Sequence, residues 1–306
     1  MASREDNNAK VTAALLASLE AGDIPPWRKP WNGDASIPRS MATGKPYRGS
    51  NRFFLGFSAL ANGYSDPFWG TYNQIKARGG QVRKGERSTY VILWARKEDK
   101  RKEKLPDGTH PTFLFTRVYS VFSADQCDWP EGSSRRVLPS SLIRTHAEII
   151  DAAEVVVQGY WKRDGSPSVA FGGDRAYYSP SKDAIQLPNR EAFLTDDGFY
   201  QAAFHESAHS TGHSTRLNRE GVVENHYFGS ELYSQEELVA EITSMFLGAY
   251  TGLDPATLDN STAYIKSWLK ALSDDPGMVV KAAADAQKAA DLILGDIADE
   301  PDGEED

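Results

Sequence analysis

The chain has 306 residues, is 40% hydrophobic and 25% charged, and carries a net charge of −9. That is the composition of a soluble globular protein long enough for two domains. A single cysteine, Cys127, excludes an internal disulfide and a thiolate-rich zinc knuckle; no apolar run approaches the ~20 residues of a membrane span, and residues 1–10 lack the apolar core of a secretory leader, so a cytoplasmic protein without a membrane partner is expected.

The charge is unevenly divided. Residues 1–130 hold 20 Lys and Arg against 13 Asp and Glu, and residues 131–306 hold 14 against 30. Such a split points to two modules with different partners, against the plainer reading of an unevenly solvated surface.

In chain order, residues 4–20 read as an amphipathic helix, with Val11, Leu15 and Leu19 every four residues and Gly22 placed to end it. Residues 23–50 carry Pro25, Pro26, Pro30, Pro38 and Pro46 among basic and aromatic residues, and are expected to be extended and mobile. A helix is expected over 51–62, with Phe53, Phe54, Phe57 and Leu60 on one side. A short one follows over 71–78, stopped by Gly79-Gly80. Residues 89–96 and 112–122 are β-rich and flank the charged run 97–104, a hairpin with a long charged tip. Residues 128–141, with two prolines, a glycine and four serines, make the best boundary. The division is thus 1–130, a linker at 131–140, a second domain over 141–298 and an acidic tail at 299–306. In the second domain, helices are expected over 142–153, 196–211, 235–250, 261–272 and 278–294, and strands near 155–157, 176–178 and 184–187.

The sharpest motif is His205-Glu206-Ser207-Ala208-His209. Spacing of i and i+4 on a helix puts both imidazoles on one face, one turn apart, where they can share one tetrahedral ion. Glu206 then points beside the ion and can take a proton from an attacking water. Chance occurrence in a chain with six histidines is roughly 0.01, which disfavours two surface histidines flanking an unrelated glutamate.

A third ligand is needed, and three residues compete. Glu237 and Glu241 lie one turn apart in Ser234–Glu241; one carboxylate can bind the ion while the other holds a ligand histidine. Ser234 to Glu237 also reads as a capping box, which would leave Glu241 as the ligand. His213 follows His209 by four, but Gly212 intervenes. Thr215 excludes a His-x-x-Gly-x-x-His extension. His226, Tyr227 and Tyr233 are softer candidates for stabilising an oxyanion, and the strands before the metal helix for pairing with an extended peptide.

The first half holds 17 of the 33 aromatic residues, several alternating with cations: Trp27-Arg28-Lys29-Pro30-Trp31, Lys45-Pro46-Tyr47-Arg48 and Asn51-Arg52-Phe53-Phe54, then Arg83-Lys84. Single-stranded nucleic acid needs both ingredients, cations for phosphates and rings for unpaired bases. Phe53, Phe54 and Phe57 read more simply as core. Trp27 and Trp31 sit where there is little core to join.

These motifs carry a resemblance. Pro26–Trp31, Tyr47–Asn51, Gly79–Glu86 and Val91–Trp94 resemble the N-terminal domain of ArdC-type antirestriction proteins, a domain shared with TraC-type plasmid primases. Ala176–Pro180, Asp183–Ile185, Phe204–His209, Arg216–Arg219, Phe228–Ser230 and Glu236–Glu241 resemble the second half of the same family. The resemblance implies two α+β domains: a sequence-nonspecific single-stranded DNA-binding domain, then a zincin-like metallopeptidase domain, in a protein that protects incoming plasmid DNA from restriction. The expected site is one divalent ion, Zn2+ with Mn2+ as the alternative, on His205, His209 and Glu237, with Glu206 as general base and Glu241 or His213 as supporting or substitute ligand. Trp27, Arg28, Lys29, Trp31, Lys45, Tyr47, Arg48, Arg52, Arg83 and Lys84 are the expected DNA contacts. The protein substrate is unidentified, a restriction component being the candidate. The competing expectation is a DNA-coating protein whose metal site is structural or silent.

Overall fold

The computed structural model describes Ala13 and residues 37–98, 112–137, 145–223, 231–253, 274–275 and 277–295. Residues 23–36, the hairpin tip, the acidic tail and the helices expected over 261–272 and, apart from Ala13, 4–20 lie outside the described residues. The class is α+β, as expected.

Residues 37–50 are built into the first half, which corrects the expectation of an extended segment reaching Ser50. Strand β1 (Arg39–Ser40) pairs in parallel with β2 (Phe68–Thr71). A tight turn follows, closed by Gly44 N–H donating to Ser40 O at 2.8 Å and Ser40 N–H to Lys45 O at 2.8 Å. Ile37, Met41 and Tyr47 are buried; their irregular spacing shows no helix or strand period, so the pattern hides them.

Strand β2 pairs antiparallel with β5 (Thr112–Ser123), which forms the expected hairpin with β4 (Thr89–Glu98), giving the order β1-β2-β5-β4. Between β2 and β4, helix α2 (Tyr72–Ala77) opens on a Thr71/Gln74 capping box, and the chain turns back at Gly79, whose φ of +81° favours glycine. Strands β3 (Gln81–Val82) and β6 (Cys127–Asp128) form a separate ribbon.

Helix α1 (Gly49–Asn62) is the seam of the molecule. Phe53 and Phe54, with Phe57 partly buried, enter the main core with the helices of the second half. Leu55, with Ala59 partly buried, enters a smaller core with Tyr47, Trp69, Val91 and Val121 under the sheet. Phe53 and Phe57 are one turn apart, as are Leu55 and Ala59, and the two pairs lie about 200° apart around the helix. One helix therefore buries two faces against two layers.

The second half opens with α3 (His146–Trp161), capped by Thr145 and Glu148. The strand expected at 155–157 is part of this helix. Ala153, Val156, Val157 and Tyr160 are buried at helical spacing, while Val155 points to solvent; burial on one helical face overrides the β preference of three valines. A three-stranded sheet follows in the order β7-β9-β8, with β8 (Tyr177–Ser179) antiparallel and β7 (Ser168–Phe171) parallel to β9 (Ala184–Leu187). Strand β7 was not expected. Helix α4 (Asp196–Thr211) has the expected bounds, and short α5 (Glu220–Val223), α6 (Glu231–Thr251) and α7 (Met278–Leu294) follow among the described residues. Buried Ala282, Ala283, Ala286 and Ala290 bring α7 close to its neighbours. Among the described residues no helix is long and apolar enough to cross a membrane.

Polar contacts fasten the seam. The Arg52 guanidinium lies 4.6 Å from the Phe246 ring centroid and donates to Phe246 O at 3.0 Å. Arg48 pairs with Asp291 at 2.6 Å, and Gly49 N–H donates to Gln287 at 2.9 Å. Because Arg52 is buried, Arg52→Ala should cost about 2–4 kcal/mol, combining a desolvated cation–π contact with a charged hydrogen bond. Hydrogen exchange in urea should show α1 and α7 amides losing protection together in the wild-type chain, and earlier in the variant. Separate transitions would mean that the two cores are independent.

Candidate metal centre

Helix α4 starts where the Thr195 hydroxyl accepts from Gly198 N–H and ends at Gly212, where a Cβ would lie 2.5 Å from Val222. It is buried on almost every side, so apolar periodicity alone cannot set its rotation. Polar anchors do. Trp161 Nε1–H donates to Ser207 Oγ at 2.9 Å, Tyr160 and Ser210 share a hydrogen bond of 2.9 Å, and Ser244 Oγ–H donates to Gln201 Oε1 at 2.8 Å.

With α4 held this way, His205 and His209 face α6. Their Nε2 atoms are 3.1 Å apart, and the two Glu237 oxygens lie 3.6 Å from His205 Nε2 and 3.7 Å from His209 Nε2. Among the described residues, these three are the group whose ligand atoms all lie within 4.8 Å of one another. Bonds of about 2.1 Å in a tetrahedral ion put ligand atoms roughly 3.4 Å apart, so the triangle fits a divalent ion.

The outer nitrogen of His209 is held by a carboxylate. His209 Nδ1 lies 3.2 Å from Glu236 Oε1, which fits a proton on Nδ1 and a lone pair on Nε2. Glu236 is itself clamped by Arg219 at 2.7 and 2.8 Å, and Arg219 also donates to Thr211 Oγ1 and Ala208 O on α4. His205 Nδ1 is buried without a hydrogen-bond partner among the described residues and faces Glu241 Oε1 at 4.0 Å. Burial by itself would lower the His205 pKa, but the hydrogen bond to Glu237 and the charges of Glu241, Glu206 and Glu237 outweigh it and raise the value to about 9. In His209 burial is likewise outweighed, by the Glu237 charge and the Glu236 hydrogen bond, and its pKa is also raised. Glu236 would be raised by burial, yet its bonds to Arg219 and His209 hold it below the ordinary carboxylate range. The pocket therefore favours positive charge.

The capping-box alternative does not apply, because α6 begins at Glu231 and Ser234 is already inside it. His213 is turned away; its Nδ1 shares a 2.8 Å hydrogen bond with Thr215 Oγ1 and lies 3.9 Å from Asp183. Glu236 and Arg219 were missed as members of the site. A signal existed: two ligand histidines have two outer nitrogens to satisfy, and Glu236 lies about 100° around the helix from Glu237. His226 and Tyr227 lie outside the described residues.

Of the expected DNA contacts, Trp27, Arg28, Lys29 and Trp31 lie outside the described residues. Lys45 and Lys84 are exposed. Of three others, Tyr47 is core, Arg48 is paired with Asp291, and Arg52 is buried against Phe246. Arg83 is engaged by Glu86 and by the carbonyls of Asp125 and Cys127. A positive residue beside an aromatic one serves packing as readily as nucleic acid.

A histidine pair one turn apart on a buried helix, met by a glutamate from the next, defines a zincin-like metallopeptidase domain, and residues 162–285 match the zincin-like metallopeptidase family. Residues 5–122 match the N-terminal domain of the anti-restriction factor ArdC. The crystal structure of the antirestriction protein ArdC from plasmid R388 is 36% identical; its metal-free form covers 94% of this chain and 96% of its own, with a TM-score of 0.70. The Mn(II)-bound form gives a TM-score of 0.71 over 94% and 97%. The chain belongs to the ArdC family. A DNA primase TraC of Escherichia coli is 38% identical over 93% of this chain but only 19% of its own length, and a second TraC is 36% identical over 93% and 27%. The chain thus spans about a fifth to a quarter of those primases. The uncharacterized protein y4eC of Sinorhizobium fredii is 34% identical over 93% of this chain and 90% of its own.

Chelator competition should rank the site residues. His205→Ala and His209→Ala should lose the metal, and Glu237→Ala should weaken it more than Glu241→Ala does. Glu236→Gln should cost about 10–100-fold, and His213→Ala should change nothing. If His213→Ala were the weakest binder, the third ligand would be that histidine.

Proposed function

We propose that this chain is an antirestriction protein that binds single-stranded DNA without sequence preference and hydrolyses an amide bond in a protein substrate, with a restriction component as the candidate. The observation that carries the hydrolytic half is the convergence of His205, His209 and Glu237 beside Glu206. A divalent ion held by these three, Zn2+ or Mn2+, supplies Lewis-acid polarisation of the carbonyl. Glu206 takes the proton of the attacking water and passes it to the leaving nitrogen. Glu236, braced by Arg219, orients the His209 imidazole from behind, and the Glu241 charge faces that of His205.

The DNA-binding half is supported by the match to the ArdC N-terminal domain, by the basic balance of residues 1–130 and by the exposed Lys45 and Lys84. The segment shared with the TraC primases is read as a DNA-handling part of those larger proteins. Trp27 and Trp31 supply stacking, with Arg28 and Lys29 beside them for phosphates.

Glu206→Gln separates hydrolysis from DNA coating. The variant should keep its metal and its affinity for single strands, and lose protection of a conjugated plasmid entering a restricting recipient. Full protection by the variant would overturn the hydrolytic reading and leave coating. Replacing Trp27 and Trp31 with Ala should weaken single-strand binding by roughly 1–3 kcal/mol per stacked base, with the salt slope unchanged because no charge is removed. Equal affinity of the wild-type chain for single-stranded and duplex oligonucleotides would defeat the stacking claim.

A further inference from the structure

Five of the described arginines are of two kinds. Arg48, Arg83 and Arg135 each face a carboxylate, at 2.6, 3.0 and 2.5 Å from Asp291, Glu86 and Asp66. Arg78 and Arg136 do not. They come from positions far apart in the chain and meet on one carbonyl, Ala42 O, to which Arg136 Nη2–H donates at 2.7 Å and Arg78 Nη2–H at 3.3 Å. Each also donates to a second main-chain oxygen, Arg136 Nε–H to Met41 O at 2.8 Å and Arg78 Nη1–H to Ser134 O at 3.3 Å. The two nitrogens on Ala42 O are at most about 6 Å apart, so two like charges sit together without a counter-charge among the described residues.

We infer that Arg78 and Arg136, which meet on Ala42 O in the turn 41–45, bind a backbone phosphate of single-stranded DNA; the inference rests on the DNA-binding reading above. Each guanidinium has five N–H donors and uses two here, which leaves donors for oxyanions. Gly44 keeps the approach open: at its φ of +79° a Cβ would lie 2.9 Å from Arg136 Nη1. Thr43 and Lys45, in the same turn, are exposed, and Arg39 Nη1–H reaches Gly44 O at 3.5 Å. The electrostatics agree, since burial and then the charge of Arg136 push the Arg78 pKa down; a bound phosphate relieves that repulsion. A bracing role alone would need one guanidinium on Ala42 O, which Arg136 already satisfies.

The test is a salt titration of the full chain on an oligothymidylate. The paired substitution Arg78→Gln with Arg136→Gln should flatten the slope of log affinity against log salt by about 0.7 for each phosphate no longer neutralised. Replacing both with Lys should keep most of the slope, because the charge remains. An unchanged slope and affinity in the Gln pair, with lower thermal stability only, would assign the two arginines to bracing and overturn the site. If the wild-type chain bound no single strand at all, the DNA-binding reading itself would fall. Should the Gln pair not fold, photo-cross-linking of the wild-type chain to a bromodeoxyuridine-substituted oligonucleotide decides. Adducts on the peptides carrying 41–45 or 129–136 support the site, and adducts confined to other peptides overturn it.

Discussion

Negative charge buried between α4 and α6 is the constraint around which the second half is organised. Glu206, Glu236 and Glu241 are buried, and the Glu237 side chain is only 13% exposed. Carboxylates taken out of water are costly unless compensated. Arg219 answers Glu236; the raised histidine pKa values show that the remaining charge still calls for cations. A divalent ion would meet that demand where, among the described residues, two imidazole nitrogens and a carboxylate converge. Stability and metal binding are then linked, since an ion that binds only the folded chain stabilises it. The hydrogen-bonded anchors along α4 belong to the same arrangement. Ligand nitrogens must be placed to within a fraction of an ångström, and a helix buried all round can slip or rotate unless its serines and tryptophan neighbours hold it.

Helix α6 carries this order toward the first half. Glu236, Glu237 and Glu241 lie toward its start, and Phe246, which receives Arg52, lies further along the same helix. Glu237 and the seam between the halves therefore sit on one rigid element. On the other side of the seam, α1 offers Phe53 and Phe54 to the main core and Leu55 to the smaller one. Deleting either half would expose a face that the other covers, so the basic and acidic portions are linked through packing despite their different compositions.

How much of this could be read beforehand depended on which physical signal each residue carried. The bounds of α4 and α7 were legible because a Thr cap or a terminal glycine brackets an unbroken helical run. The three valines of α3 looked like a strand because local propensity does not reveal which face is buried. Strand β7, with the sequence Ser-Val-Ala-Phe, is short and gains its place only by pairing with β9, a partnership that no local pattern announces. At the site, His205, Glu206 and His209 were legible because helical spacing alone brings them together. The choice between Glu237 and Glu241 was less so, since both lie on one face and only the position of α4 distinguishes them. Glu236 and Arg219 were hidden because their role is to hold another side chain.

Charge was the least legible signal, and the reason is specific. Composition counts cations; binding depends on which cations lack counter-charges. Arg48 and Arg52 stand in the most nucleic-acid-like stretches of the described chain, yet one is neutralised by Asp291 and the other is stacked on Phe246. Arg78 and Arg136 stand in glycine- and serine-rich surroundings without aromatic alternation, yet they converge on a carbonyl with no carboxylate partner among the described residues. A paired arginine contributes little to the field felt by a phosphate, because its partner cancels it within a Debye length. Two arginines on a shared carbonyl add their fields, and the half-buried setting screens them less than open water would. The field of Arg78 and Arg136 at the 41–45 turn is therefore not cancelled by a close carboxylate among the described residues, and the aromatic-rich motifs around Arg48 and Arg52 record where the two halves of the chain meet.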